Sequence, residues 1–198
     1  MKLINLSSTG QSCHYVDSWL YCLLYYLKES KDAGNNSVSR DELILHMGND
    51  EDDVKEMLTT LRNWGALKSN GSIVSLTESG SALINSLPVR IVDFPHTRYV
   101  IGNYQCGVVI RGVSGKVTNG ILQRNCAVKA GARGASVFVR VSDNIFMPPE
   151  WKMEFFDPVL AEAMRIEGVC DEDVVIIAGA DSEAVARNAA VSAALETL

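Results

Sequence analysis

At 198 residues the chain has room for one large or two modest domains, each able to bury a core of its own. Hydrophobic residues make up 47% and charged ones 21%, an ordinary globular balance, and there is neither an apolar run long enough to cross a bilayer nor a secretion signal at the N-terminus, so the expected compartment is the cytoplasm. Five cysteines without a CxxC pair fit free thiols better than a disulfide framework, and a net charge of −6 means that any grip on phosphates needs a local basic stripe.

Val16, Trp19, Leu20, Leu23, Leu24 and Leu27 recur at helical spacing and predict a first helix, followed by a polar loop from Lys31 to Ser37. Ser39, Arg40, Asp41 and Glu42 read as a capping box opening a second helix, with Leu43 and Met47 facing the core until Gly48. Val54, Met57, Leu58, Leu61 and Trp64 line one face of a third helix. Its first turn carries acids that suit the positive end of the dipole, and Gly65 can take the left-handed conformation that ends it. Ala66 to Lys68 and Ile73 to Leu76 flank Asn70-Gly71, a pair that tolerates the positive φ angles of a two-residue hairpin turn. Thr77 then caps a fourth helix, whose Leu83, Ile84 and Leu87 share a face until Pro88.

Helix, helix, helix, hairpin, helix from Val16 to Leu87 resembles the winged-helix regulators of archaea and bacteria, over about two fifths of the chain. The resemblance implies DNA binding, with the third helix in the major groove and the hairpin as the wing. Residues up to Arg90 hold 8 basic and 11 acidic side chains, and Asp50, Glu51, Asp52, Asp53 and Glu56 crowd the start of that helix. Lys55, Thr59, Thr60, Arg62 and Asn63 fall off its apolar face and are the candidate DNA contacts, joined by Lys68 from the wing; the alternative is a solvated surface.

Pro88 to Thr97 carries two prolines and no clear period, as a linker would, which places the domains at 1–90 and 98–198. Tyr104 to Arg111 predicts a strand, Thr118 or Asn119 caps a helix ending at Gly131, Ala135 to Val141 alternates as a second strand, and Ser142-Asp143-Asn144 turns into a third around Ile145 to Met147. Asp157-Pro158 starts a helix to about Glu167, Asp173 to Ala178 is the most hydrophobic strand, and Asp181 caps an alanine-rich final helix. Ala186, Ala189, Ala190 and Ala193 face the core or a partner chain. The order matches a ferredoxin-like βαββαβ unit plus one C-terminal helix, so the fold class is α+β.

Chemistry could collect in Arg111 to Asn119, where glycines 112 and 115 allow close backbone approach, a helix N-terminus offers N–H groups, and Arg111 and Lys116 add charge. With Asn119, Gln123, Arg124 and Arg133 these are the candidate ligands of a small anionic effector; the alternative is a surface turn. The spacing is not that of a Walker loop. His14, His46 and His96 lack partners at metal-ligand spacing, Cys106 and Cys126 read as packed thiols, Asp171 to Asp173 read as a solvated loop, and no catalytic pair, metal site or cofactor is expected.

The stretches RGVSGKVTNGILQRNCAVKAGARGAS and DVVIIAGADSEAVARNAA look like an archaeal two-domain family in which a winged helix precedes a domain of unknown function. That resemblance implies a regulator and brings no ligand or catalytic residues with it. The expected protein is a homodimeric transcriptional regulator that binds DNA and senses a small anion. The rivals are a protein-interaction module that never meets DNA and an enzyme on an anionic metabolite with Arg111 and Lys116 as clamps.

Overall fold

The computed structural model describes residues 13–198, with side chains from Ser18 onward, so the expected roles of His14 and Val16 lie outside the described residues. The chain divides into two compact units, Met1–Leu87 and Pro88–Leu198. It is a mixed α+β structure with eight α-helices and two antiparallel sheets among the described residues.

In the first unit, α1 (Cys13–Asp32) buries Leu20, Leu23, Leu24 and Leu27. Ser39 ends a two-residue strand, β1 (Val38–Ser39), and accepts the Glu42 amide at 3.2 Å to cap α2 (Arg40–Met47). The Glu42 carboxylate accepts the Tyr26 hydroxyl at 2.6 Å. In α3 (Glu51–Asn63), Val54, Met57 and Leu61 are buried. The helix closes as the apolar period implies: Gly65 takes φ +71°, its amide donates to Arg62 O, and Ala66 N–H donates to Leu61 O, both at 2.9 Å.

The hairpin pairs β2 (Leu67–Asn70) with β3 (Ile73–Leu76), and Asn70 faces Ile73 across it. The turn therefore falls on Gly71-Ser72, one residue later than Asn70-Gly71, with Gly71 supplying the positive φ of 62°. β1 lies on the far side of β3, a third strand too short for any period to reveal. Thr77 caps α4 (Glu78–Asn85) by accepting the Gly80 amide at 3.0 Å, and its hydroxyl donates to Gly65 O at 2.7 Å.

The second unit is built on one six-stranded sheet. Its strands are β4 (Val89–Val92), β5 (Tyr104–Ile110), β6 (Gly134–Val141), β7 (Asn144–Met147), β8 (Trp151–Lys152) and β9 (Val174–Ala180). Their order is β4-β5-β9-β6-β7-β8. The helices are α5 (Ile121–Lys129), the short α6 (Met153–Phe156), α7 (Pro158–Ile166) and α8 (Glu183–Thr197). β9 is central and wholly buried, as its uninterrupted apolar run requires.

Three expectations are corrected here. The linker expected over Pro88 to Thr97 contains an edge strand: Val89 to Val92 pair with Ile110 to Gly107. Phe94 then covers Gly107, where a Cβ would lie 2.4 Å from its ring. Two prolines flank that short strand instead of interrupting it, which is why it reads as irregular. Second, the ferredoxin-like arrangement is not the one adopted. In that fold the first strand of the βαββαβ unit separates the third from the fourth and both helices share one face. Here the fourth, β9, lies between the first and second, β5 and β6.

The layers differ too. α5 and α8 pack together on one face, with Gly120 at the start of α5 within 3.0 Å of Val137, measured from an ideal Cβ. On the other face Leu160, Ala161 and Met164 of α7 form a cluster with Val109, Phe138, Val175 and Ile177. Third, α8 is capped by Ser182, whose side chain accepts the Val185 amide at 3.3 Å, and Asp181 pairs with Arg133 at 2.7 Å. Ala186, Ala189, Ala190 and Ala193 are fully buried within the unit, which settles the core-facing role over the partner-facing one.

Candidate nucleic-acid interface

Residues three and four apart share a helix face, so Lys55, Thr59 and Arg62 stand in one row along α3. The structure brings that row against the start of α2 and the hairpin. A groove of about 50 Å³ is lined by Arg40, Lys55, Thr59, Arg62 and Ser69 over a floor that includes Leu67 and Val74. Among the described residues its lining holds three cations and no carboxylate. Arg40 N–H donates to Ser72 O at 2.8 Å, which ties the helix start to the hairpin turn. The Arg40 Nε is buried with no hydrogen-bond partner among the described residues. The sequence places Arg40 only within a capping box; its position at the start of a helix beside the hairpin follows from the β1 pairing, which no local signal reports.

The candidate contacts separate by direction. The Thr59 hydroxyl donates to Lys55 O at 2.8 Å, so its proton is already used within the helix. Thr60 points away and lines a different cavity with Trp19, Asp53, Glu56 and Met57. Asn63 and Lys68 are exposed outside the groove lining. The acids of α3 that argued against phosphate binding are thus divided: Asp53 and Glu56 belong to Thr60's side and not to the groove.

The Arg111 to Asn119 loop of the second unit is different. Three of its amides are occupied by the protein's own acceptors: Gly112 N–H by the Asp173 carboxylate at 3.1 Å, Ser114 N–H by Glu172 O at 2.9 Å, and Lys116 N–H by Val113 O at 2.9 Å. Lys116 Nζ donates to the Leu198 carbonyl oxygen, and Asn119 Oδ1 accepts the Ile121 amide at 3.1 Å. Gln123 is buried and Arg124 is exposed.

Arg111 and Arg133 do not meet. Arg111 follows Ile110, which pairs with Val174 at one end of β9, and Arg133 precedes Gly134, which pairs with Gly179 at the other end. Five residues of strand separate them by about 17 Å. Asp171 to Asp173 are more than a solvated loop, because Asp173 is buried and Asp171 accepts the Ser142 amide at 2.6 Å. Of the other groups read from sequence, Cys106 is buried and Cys126 is half-buried. His46 stacks on Tyr26 with ring centres 3.7 Å apart.

Among the described residues no helix is long and apolar enough to cross a membrane. No curated protein matches the chain in sequence. A solved structure, the hypothetical protein PH0730 from Pyrococcus horikoshii OT3, is similar in fold with a TM-score of 0.68; it is 21% identical, over 89% of this chain and 89% of that one. Residues 101–198, most of the second unit, match the family model described as Domain of unknown function (DUF4443).

Proposed function

We propose that the first unit is a winged helix that binds DNA, and that the protein is a transcriptional regulator acting as a homodimer on paired half-sites. The observation that carries this reading is the groove in which Arg40, Lys55 and Arg62 converge between α3 and the hairpin. Guanidinium and ammonium groups on one face, with an apolar floor beneath and no carboxylate among the described lining residues, suit the phosphate backbone. The overall charge of −6 is then no obstacle, because counterion release depends on the local stripe. The companion reading, a small anionic effector held by the second unit, has fewer donors to draw on in the 111–119 loop, since the Gly112, Ser114 and Lys116 amides already have acceptors.

A mobility-shift assay of the full chain on genomic fragments tests the proposal. Retarded complexes that dissolve steeply as salt rises support it. No shift at low salt, together with capture of a basic protein in the same buffer, would favour the interaction module instead.

A further inference from the structure

We propose that the cavity between α1 and α3 is a binding site for a small organic ammonium ion, separate from the basic groove and independent of DNA binding. The cavity has a volume of about 190 Å³. An engineered apolar cavity of about 150 Å³ takes up benzene, so this one has room for an amine of several heavy atoms.

Its lining is divided by chemistry. Trp19, Leu20 and Met57 supply an apolar wall, while Asp53, Glu56 and Asn49 bring oxygen acceptors. Asp53 and Glu56 sit three apart on α3 and form no ion pair among the described residues. The Asn49 Oδ1 is buried with no hydrogen-bond partner among the described residues. An ammonium group carries three donors and a positive charge, which matches two carboxylates and one orphaned amide oxygen. Its hydrocarbon body gains from the apolar wall, and an indole ring adds attraction for a cation.

Other ligand classes fit less well. An anion meets two carboxylates of its own sign. A neutral molecule makes no use of the charge on Asp53 and Glu56, which line the cavity from its solvent-exposed side. A hard metal ion takes six or more oxygens and makes no use of Trp19, Leu20 and Met57.

Calorimetric titration of the full chain with 1,4-diaminobutane, and with 1,4-butanediol as the uncharged probe of equal length, tests the proposal. Saturable 1:1 binding of the diamine is expected, with the diol weaker by about ten-fold or more, as loss of charge-assisted hydrogen bonds implies. The Met57 methyl NMR signal shifts with the diamine and stays in place with the diol. A double variant, Asp53→Asn with Glu56→Gln, weakens the diamine by about ten-fold or more, whereas Glu78→Gln, a carboxylate on α4 outside the cavity, leaves it unchanged. Equal binding of the two probes, an unmoved Met57 signal, or an equal loss in Glu78→Gln overturns the proposal. If the double variant fails to fold, the two wild-type readouts still decide it.

Discussion

The buried Asp173 carboxylate holds Gly112 across 61 residues of sequence: the Gly112 amide donates to Oδ1 at 3.1 Å while the Cys170 amide donates to Oδ2 at 2.8 Å. One side chain thus fixes the loop after β5 to the loop before β9. Asp173→Ala removes the acceptor of both donors; Asp173 itself is 2% exposed, while Gly112 and Cys170 lie at the surface. The expected cost is about 1–2 kcal/mol, the net worth of the two part-buried hydrogen bonds that are lost. Urea unfolding measures it, and a loss below about 0.5 kcal/mol, the range of ordinary surface changes, contradicts the anchoring role.

Gly80 and Gly115 make a matched pair of tests. A Cβ at Gly80 would lie 2.2 Å from the Ala66 carbonyl oxygen, which accepts the Thr77 amide at 3.0 Å. Gly80→Ala must therefore move backbone, at a cost of about 1–3 kcal/mol. Gly115 has open space around it and no positive φ, so Gly115→Ala stays within about 0.5 kcal/mol of wild type. Thermal denaturation of the two variants side by side checks the contrast.

Of the four cysteines with described side chains, Cys22 and Cys106 are buried and Cys170 is exposed. Burial pushes the Cys126 thiol up from its ordinary value, the Glu196 charge pushes the same way, and Lys129 opposes them. Only the thiolate attacks, so at pH 8 Cys126 stays mostly protonated and reacts slowly. Brief iodoacetamide treatment followed by peptide mass mapping should find label on Cys170 well before Cys126, Cys22 or Cys106. Faster labelling of Cys126 than of Cys170 contradicts the packing of α5.

Ser182 and Asp181 separate a cap from a surface ion pair. Ser182→Ala removes the acceptor for the Val185 amide and is expected to cost about 1 kcal/mol. Asp181→Ala removes a pair with Arg133 whose side chains are 61% and 58% exposed, worth well under about 1 kcal/mol after solvent screening. Chemical denaturation that ranked Asp181 above Ser182 would contradict the assigned cap.

Local signals made much of this fold legible. The period of Val54, Met57 and Leu61, the Gly65 stop, and the Ser39, Thr77 and Asp157 caps act over one or two helical turns, and each is found where its chemistry implies. What failed needs long-range information. β1 and β8 have two residues each, too few for a period, and β4 hides between prolines. Strand order depends on which faces α5, α7 and α8 cover, and no spacing reports that.

The two candidate sites show the same division. Lys55 and Arg62 were visible as a polar row on α3, while Arg40 joins them only through the fold. The 111–119 loop looked open to an anion because its acceptors, Asp173 and Glu172, lie about sixty residues away.

The groove cations offer the most direct measurement. Fluorescence anisotropy of a DNA duplex bound by the full chain is followed as salt is raised, for wild type and for Arg40→Ala, Lys55→Ala and Arg62→Ala. If the three side chains neutralise phosphates, each substitution reduces the steepness of log K against log salt by about 0.9, and the triple variant by about 2.7. A triple variant that keeps the wild-type slope, or a wild-type protein that leaves DNA unbound at low salt, contradicts a phosphate-gripping groove between α3 and the hairpin.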